Sequence, residues 1–170
     1  CHVDEAIATL GVINEVTAGE RDGVDAYVIA CFGDTGLAAA REVARGPVVG
    51  MTEAALFAAC LVAHRFSIIT LPRRTRIQSQ RVLNDLGLTS GGRCAEIRAI
   101  DVPVLYDEDS EEAVYRSVLS EAKEAIASDH AEAIVLGCAG LTDFVEPLTC
   151  ELNIPVIDGV TMAVKLAEGL

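Results

Sequence analysis

The stretch DAYVIACFGDTGLAAAREVARG, residues 25–46, contains the unit that decides the fold. A short run of strand-forming residues leads through a cysteine and a glycine into a helix pattern that closes at Gly46, with Pro47 just beyond it. The chain uses the same order again in AEAIVLGCAGLTDFVEPLTCEL, residues 131–152. A strand that leads directly into a helix is the building unit of parallel α/β sheets, so the two stretches predict an α/β protein.

Strand and helix patterns alternate over the rest of the chain. Further strands are predicted at residues 47–51, 66–71, 94–105 and 155–158, and further helices at residues 2–21, 52–65, 75–86, 107–129 and 160–170. Continuously apolar strands indicate sheets covered on both faces, which is a doubly wound arrangement with its site beyond the carboxyl ends of the strands. Because the chain starts in a helix pattern, we expect that the opening strand of such a fold is missing.

Composition and charge exclude several classes of partner. Half of the 170 residues are hydrophobic, and 26 acidic against 13 basic side chains give a formal net charge of −13. The negative electrostatic field of such a chain repels phosphate backbones and anionic membrane surfaces. No apolar run is long enough for a spanning helix, and no signal-peptide pattern is seen. The sequence therefore predicts a cytoplasmic protein that binds neither nucleic acid nor membrane.

The six cysteines do not form a metal-binding or disulfide pattern. They include no CxxC pair, and the three histidines have no ligand spacing with them, so we predict no metal site. Cysteine is among the most buried residue types. Four of the six are interpreted as packing residues: Cys1, Cys60, Cys94 and Cys150.

Cys31 and Cys138 have a different setting, because each ends a predicted strand just ahead of a helix. Backbone N–H groups and the helix dipole are expected to lower the pKa of each thiol toward neutrality. Gly33 and Gly140 leave room for a small substrate, and nearby amides could hold a developing oxyanion. Two thiols on facing sheet edges suit inversion beside a carbonyl: one removes the proton and the other returns one to the far side. From the residues alone, inert packing remains an alternative.

Five phrases in order, ACFGDTGLAAARE, GPVVGMTEAA, FSIITLPR, AIVLGCAGL and IPVIDGV, carry a likeness over essentially the whole chain. The chain resembles the hydantoin racemase branch of the aspartate/glutamate racemase superfamily, which includes allantoin racemases. The resemblance implies two pseudo-symmetric doubly wound parallel-sheet domains with an active-site cleft between them. We assign residues 1–50 plus 156–170 to a partial first domain and residues 51–155 to the second. The opening strand of this family, with its INPNT-like loop, has no counterpart here.

The same resemblance implies a site and a reaction. Cys31 and Cys138 would be the paired acid/base residues of a racemase that inverts C5 of 5-substituted hydantoins or of allantoin, without metal or cofactor. It also implies a small-molecule substrate and a homo-oligomer. The residues that it places around the substrate are Phe32, Gly33, Thr70, Ala139 and Gly140.

Two other functions stay open at this point. The first is another enzyme of the superfamily, an amino-acid racemase, a decarboxylase or a maleate-type isomerase. Those relatives usually have a CNT-like phrase where this chain has CFG, at residues 31–33, which favours hydantoins. The second is a non-catalytic α/β domain that binds a ligand.

Several polar residues near these motifs are given structural roles. Asp34 is interpreted as a cap of the helix that follows it, although it could instead orient the loop. Thr52 is interpreted as an N-cap and Glu53 as a charge in the first helical turn, where the dipole favours it. A solvated helix face is the interpretation for Arg73, Arg74 and Arg76.

Overall fold

The structure is a computed structural model that describes residues 2–89, 92–105 and 107–170, so Cys1 lies outside the described residues. The helices are α1 His2–Asp22, α2 Leu37–Val43, α3 Met51–Val62, α4 Thr75–Asp85, α5 Glu111–Ser128, α6 Val145–Leu152 and α7 Gly159–Gly169. The strands are β1 Tyr27–Ile29, β2 Val48–Gly50, β3 Phe66–Thr70, β4 Cys94–Ala99, β5 Ala133–Leu136 and β6 Val156–Asp158. Short 3₁₀ helices span Glu108–Ser110 and Ala139–Phe144.

The strands form two sheets, and every pairing that the structure describes is parallel. A two-stranded sheet has the order β1-β2, and a four-stranded sheet has the order β4-β3-β5-β6. Parallel neighbours require crossover connections, and helices supply them here. The predicted α/β class with parallel sheets is confirmed.

Helices cover both faces of the larger sheet. Successive strand residues point to opposite faces, so Ile68 packs in one core and Ile69 in the other. The first core includes Leu56 of α3 and Leu83 of α4, and the second includes residues of α5 and α6 such as Val118. This two-sided burial explains why the strands are continuously apolar in the sequence.

Two helices cross between the sheets. Helix α3 follows β2 of the smaller sheet but packs against the larger one, where Leu56 joins the core of β3 and β5. Helix α7 follows β6 of the larger sheet but contacts the smaller one, where Ala163 packs with Val49 of β2. The two helices also pack against each other. The division into residues 1–50 plus 156–170 and 51–155 stays a prediction.

Some elements differ from the sequence prediction. Strand β4 ends at Ala99, before Pro103, where its partner β3 ends at Thr70 and just before Asp101, which has φ of 58°. Helix α1 forms, but Val3, Ile7 and Leu10 of its apolar stripe are 66%, 65% and 64% exposed, because no described residue covers that face. Among the described residues, no helix combines the length and apolarity that crossing a bilayer requires.

Candidate active site

Cys31 lies in a tight loop beyond the carboxyl end of β1. Within this loop the Asp34 amide donates to the Cys31 carbonyl (2.9 Å), and the Leu37 amide donates to the Asp34 carbonyl (3.0 Å). The side chain of Cys31 is exposed, and its Sγ lies 3.4 Å from Oγ1 of Thr35. Helix α2 starts only at Leu37. The order of strand, cysteine, glycine and helix is as predicted, and the loop of residues 31–36 separates β1 from α2.

Asp34 fixes this loop to a different helix from the one predicted. Its carboxylate accepts hydrogen bonds from the amides of Thr52 (2.8 Å) and Glu53 (3.0 Å), in the first turn of α3. Asp34 thus caps α3 and not α2, which corrects the sequence interpretation. Its backbone has φ of 50°, a left-handed conformation that aspartate tolerates better than most residues. Burial raises the pKa of the Asp34 carboxyl, and the two amide hydrogen bonds oppose that rise.

Thr52 also has a different role from the predicted one. The residue before α3 is Gly50, and Thr52 lies inside the helix with no exposed surface. Its Oγ1 accepts a hydrogen bond of 2.7 Å from the amide of Gly33, in the loop that carries Cys31. Glu53 lies in the first turn, as predicted, and its carboxylate accepts from the Gly50 amide (3.2 Å). Since Gly50 has no side chain, Asp34 supplies the capping oxygens in its place.

Cys138 lies just beyond the carboxyl end of β5 and directly precedes the 3₁₀ helix Ala139–Phe144. Gly137 before it donates its N–H to the Ile69 carbonyl (2.7 Å). A Cβ at Gly137 would lie 2.9 Å from Cβ of Thr70 and 3.0 Å from the Ile69 carbonyl oxygen. Glycine is thus required at this point because β3 approaches the backbone too closely for a side chain.

The protonation equilibrium of Cys138 differs from the prediction. Burial raises the pKa of the half-buried thiol above its ordinary value, and the nearby charge of Cys31 adds to the rise. A hydrogen bond from the Gly140 amide favours the thiolate but does not offset the burial. The expected fall of this pKa toward neutrality is therefore wrong. In the resting protein Cys138 is a thiol, the form that can donate a proton.

Alkylation should report this shift. Because only the thiolate reacts, we expect the iodoacetamide rate at Cys138 to keep rising with pH beyond the midpoint of a free cysteine thiol, about 8.5. Labelling of intact protein from pH 6 to pH 10, followed by peptide mass spectrometry, measures the midpoint at each cysteine. The exposed Cys150 is the internal reference. A midpoint for Cys138 below that of Cys150 would contradict the assignment of burial as the dominant cause.

The two cysteines face the same junction between the sheets. Cys31 follows β1, the neighbour of β2, and Cys138 follows β5, the neighbour of β6. The amino ends of α3 and α7, which follow β2 and β6, are in contact there, because a Cβ at Gly159 would overlap the Met51 carbonyl oxygen. Cys31 also lies within electrostatic reach of Cys138, as its effect on the pKa of that thiol requires. The structure thus brings the two sulfur-bearing loops to one region.

The two residues predicted to contact substrate on the Cys31 side, Phe32 and Gly33, are fixed by contacts with other parts of the chain. Phe32 is 7% exposed and packs in the core with residues such as Met51 and Leu83. The Gly33 amide is bound to Thr52, and its carbonyl accepts from Arg81 of α4 (3.3 Å). Gly33 has φ of 126°, which favours glycine. That these two residues contact substrate stays a prediction.

The contacts predicted near Cys138 fall into two groups. Ala139 and Gly140 belong to the 3₁₀ helix that Cys138 precedes, next to the thiol. Thr70 is buried, with its hydroxyl 3.3 Å from the Gly137 carbonyl and in hydrogen-bond contact with Thr75. These contacts give Thr70 a role in fixing the backbone ahead of Cys138. Direct contact of Thr70, Ala139 or Gly140 with substrate stays a prediction.

Cys31 also lines a cavity of about 410 Å³ between α1 and β1. The wall is mainly apolar and includes Val12, Val16 and Ile29, and Cys138 does not line it. This cavity is therefore not a hollow shared by the two sulfurs.

The remaining cysteines and the arginines have structural settings. Burial, as the largest cause, raises the pKa of Cys94 to about 12, so that thiol is unreactive at neutral pH. Cys60 packs against the same core as Cys94. Arg73 and Arg76 form exposed ion pairs, with Asp101 (3.3 Å) and Glu96 (2.8 Å) respectively. In the described part of the chain, no group of three or more His, Cys, Asp or Glu side chains is placed to hold a metal.

Sequence reasoning missed the residues that connect the Cys138 loop to α7. Asp158, 5% exposed at the end of β6, accepts from the Thr161 amide (2.8 Å) and from the Thr142 hydroxyl (3.4 Å). Thr142 also donates to the Ala139 carbonyl (2.9 Å). The aspartate followed by glycine at the start of a helix was a visible N-cap signal, whereas its link to Thr142 was not.

The chain is similar to several known proteins. The family model described as Asp/Glu/Hydantoin racemase matches residues 1–167. A hydantoin racemase of Rhizobium meliloti is 49% identical over 168 residues, which are 98% of this chain and 68% of the relative. The structure of an allantoin racemase from Klebsiella pneumoniae superposes with a TM-score of 0.95 at 48% identity, over 99% of this chain and 68% of that one.

A more distant structure shares the fold alone. Glutamate racemase from Francisella tularensis superposes with a TM-score of 0.65 at 16% identity, over 97% of this chain and 63% of that chain. This chain spans about two thirds of the length of these relatives. By the match of the family model and the identity to curated members, the chain belongs to the Asp/Glu/hydantoin racemase family, and its racemase relatives indicate an isomerase.

Proposed function

We propose that the protein is a hydantoin or allantoin racemase, which inverts C5 of the ring by proton transfer between two cysteines. The observation that carries the proposal is that Cys31 and Cys138 follow β1 and β5, whose neighbours β2 and β6 lead into helices with touching amino ends. Identities of 48% and 49% to an allantoin racemase and a hydantoin racemase support the choice of substrate class.

The reaction needs one thiolate and one thiol on opposite faces of the ring. In one direction the thiolate of one cysteine removes the C5 proton, and the electron pair of the C–H bond delocalises onto the adjacent carbonyl oxygen. The thiol of the other cysteine then donates its proton to the opposite face of C5. The product is the mirror-image centre, and the two sulfurs have exchanged protonation states.

The unequal surroundings of the two sulfurs suit this division of labour. Cys138 is half-buried and held as a thiol by its raised pKa, whereas Cys31 is exposed beside Thr35. Because a negative charge on one sulfur opposes ionisation of the other, the pair does not readily hold two thiolates at once.

The test is the loss of optical rotation of single enantiomers. Full-length protein is incubated with one enantiomer of a 5-alkylhydantoin and, separately, of allantoin, and rotation is followed against an uncatalysed control. We expect rotation to fall to zero with at least one substrate, and deuterium from D₂O to appear at C5. Unchanged optical rotation of both the 5-alkylhydantoin and allantoin would contradict the proposal. Release of CO₂ from a malonate substrate would support a decarboxylase instead.

Assembly and location are proposals of the same standing. The family resemblance leads us to propose a homo-oligomer that acts on a small molecule in the cytoplasm. Light scattering coupled to size-exclusion chromatography measures the assembly, and cell fractionation measures the location.

A further inference from the structure

We propose that Thr52 and Thr142 are positioning residues, which hold the two cysteine loops at a fixed separation through the touching amino ends of α3 and α7. The inference rests on the two-thiol racemisation proposed above. It adds the structural element that sets the distance between the sulfurs.

On the Cys31 side, three hydrogen bonds join the loop to the first turn of α3. The Gly33 amide donates to Oγ1 of Thr52 (2.7 Å), and the Asp34 carboxylate accepts from the amides of Thr52 (2.8 Å) and Glu53 (3.0 Å). Thr52 is fully buried, so water cannot take the place of its hydroxyl when valine is substituted there. The Gly33 amide then has no hydrogen-bond acceptor, which is costly for a buried donor. The position of the loop therefore depends on the position of α3.

On the Cys138 side, one side chain makes the equivalent connection to α7. The single proton of the Thr142 hydroxyl is shared between the Ala139 carbonyl (2.9 Å) and the more distant Asp158 carboxylate (3.4 Å). Asp158 in turn caps α7, by accepting from the Thr161 amide (2.8 Å). The backbone directly after Cys138 is thus tied to the amino end of α7.

The two helix ends are in direct contact, which closes the connection. Gly159 is the first residue of α7, and a Cβ there would overlap the Met51 carbonyl oxygen and lie 2.9 Å from Cβ of Met51. Met51 is the first residue of α3 and is fully buried. A continuous series of contacts therefore runs from one cysteine loop to the other: Gly33, Thr52, Met51, Gly159, Asp158, Thr142 and Ala139.

This connection matters for inversion more than for proton removal. A misplacement of about 1 Å can cost about 10²-fold in rate when two groups must both reach the reacting atom. One cysteine can also remove the C5 proton and then return a solvent-derived proton to the same face of C5. This exchange with retention requires only that this one sulfur is correctly placed. Loosening one loop should therefore separate inversion from exchange.

The first experiment compares Thr52→Val with Thr52→Ser in D₂O, with each substrate enantiomer assayed separately. For Thr52→Val we expect inversion to fall about 30- to 100-fold with little change in KM, while deuterium exchange with retention persists in one enantiomer only. Thr52→Ser keeps the acceptor oxygen and should restore inversion to within about threefold. For Thr142→Val we expect deuterium exchange with retention to persist in the other enantiomer. Equal loss of exchange in both enantiomers, or failure of serine to restore inversion, would overturn the proposal.

The second experiment does not depend on any substrate, so it separates failure of this inference from failure of the proposed function. Iodoacetamide labelling is followed at each cysteine in folded Thr52→Val and Thr142→Val proteins. We expect the rate at Cys31 to change at least fivefold in the first variant and the rate at Cys138 in the second, each with the other cysteine unchanged.

Thr17→Val is the matched control, because its exposed hydroxyl donates only to the Ile13 carbonyl of its own helix (2.7 Å). It should leave both labelling rates unchanged. Thr142 is only partly buried, so its variant tests the inference even if Thr52→Val fails to fold. Unaltered labelling of both cysteines in a folded variant would refute the positioning role.

Discussion

Replacement of Cys31 or Cys138 by alanine is expected to reduce the rate of racemisation of a hydantoin or allantoin by about 10² to 10⁴-fold. This range is the typical contribution of one positioned acid or base. Neither sulfur can replace the other, because each serves one face of C5. Each variant should still exchange the C5 proton of one enantiomer with solvent, through the sulfur that remains, and the two variants should do so with opposite enantiomers.

The measurement combines polarimetry with proton NMR of the C5 hydrogen in D₂O. Cys150→Ala is the control, since that thiol is exposed in α6 and belongs to neither loop. It should racemise at the wild-type rate. If Cys31→Ala or Cys138→Ala racemised as fast as the wild type, the two-thiol mechanism would be abandoned while the fold and family would stand.

The substitution Gly50→Ala is expected to lower the free energy of unfolding by about 2 to 4 kcal/mol, the sum of a typical overpacking cost and the loss of a helix cap. A Cβ at Gly50 would lie 2.5 and 2.6 Å from the two carboxylate oxygens of Asp34. Asp34 would have to move, and the amides of Thr52 and Glu53 would lose their acceptor. Because the same residue fixes the Cys31 loop, racemisation should fall as well.

Urea unfolding followed by circular dichroism measures the stability of this variant. Gly11→Ala is the matched control, because a Cβ at Gly11 meets no atom within 4 Å and alanine favours the interior of α1 by up to about 1 kcal/mol. Gly11→Ala should therefore be as stable as the wild type or more stable. An unchanged urea midpoint for Gly50→Ala would show that Asp34 can move without loss of stability, and that its bonds to α3 do not fix the Cys31 loop.

The capping of α3 shows why sequence reasoning reached the right residue but assigned it to the wrong helix. Aspartate after a glycine and before a helix pattern predicts a cap of that helix. Asp34 does cap a helix, but the bonds run to Thr52 and Glu53, which are distant in the sequence. Capping signatures describe neighbours along the chain, and they carry no information on a helix that the sheet brings alongside.

Cys138 shows the same limit for the chemistry. Its place at the end of a strand was predicted correctly, and backbone N–H groups do lie ahead of it, since the Gly140 amide bonds to the sulfur. The predicted fall of its pKa was nevertheless wrong, because burial by surrounding elements raises it. Desolvation is a sum over atoms from several elements, so it is set by packing and not by the local motif.

The sequence by itself determined the α/β class, the parallel strands and the two cysteines at strand ends, because hydrophobic periodicity and strand-to-helix transitions are local properties of the chain. Only the tertiary structure decided which helix Asp34 caps, how α3 and α7 cross between the sheets, and how Thr52 and Asp158 connect the two loops. Those features depend on contacts between residues far apart in the chain, and such contacts exist only once the sheets have formed.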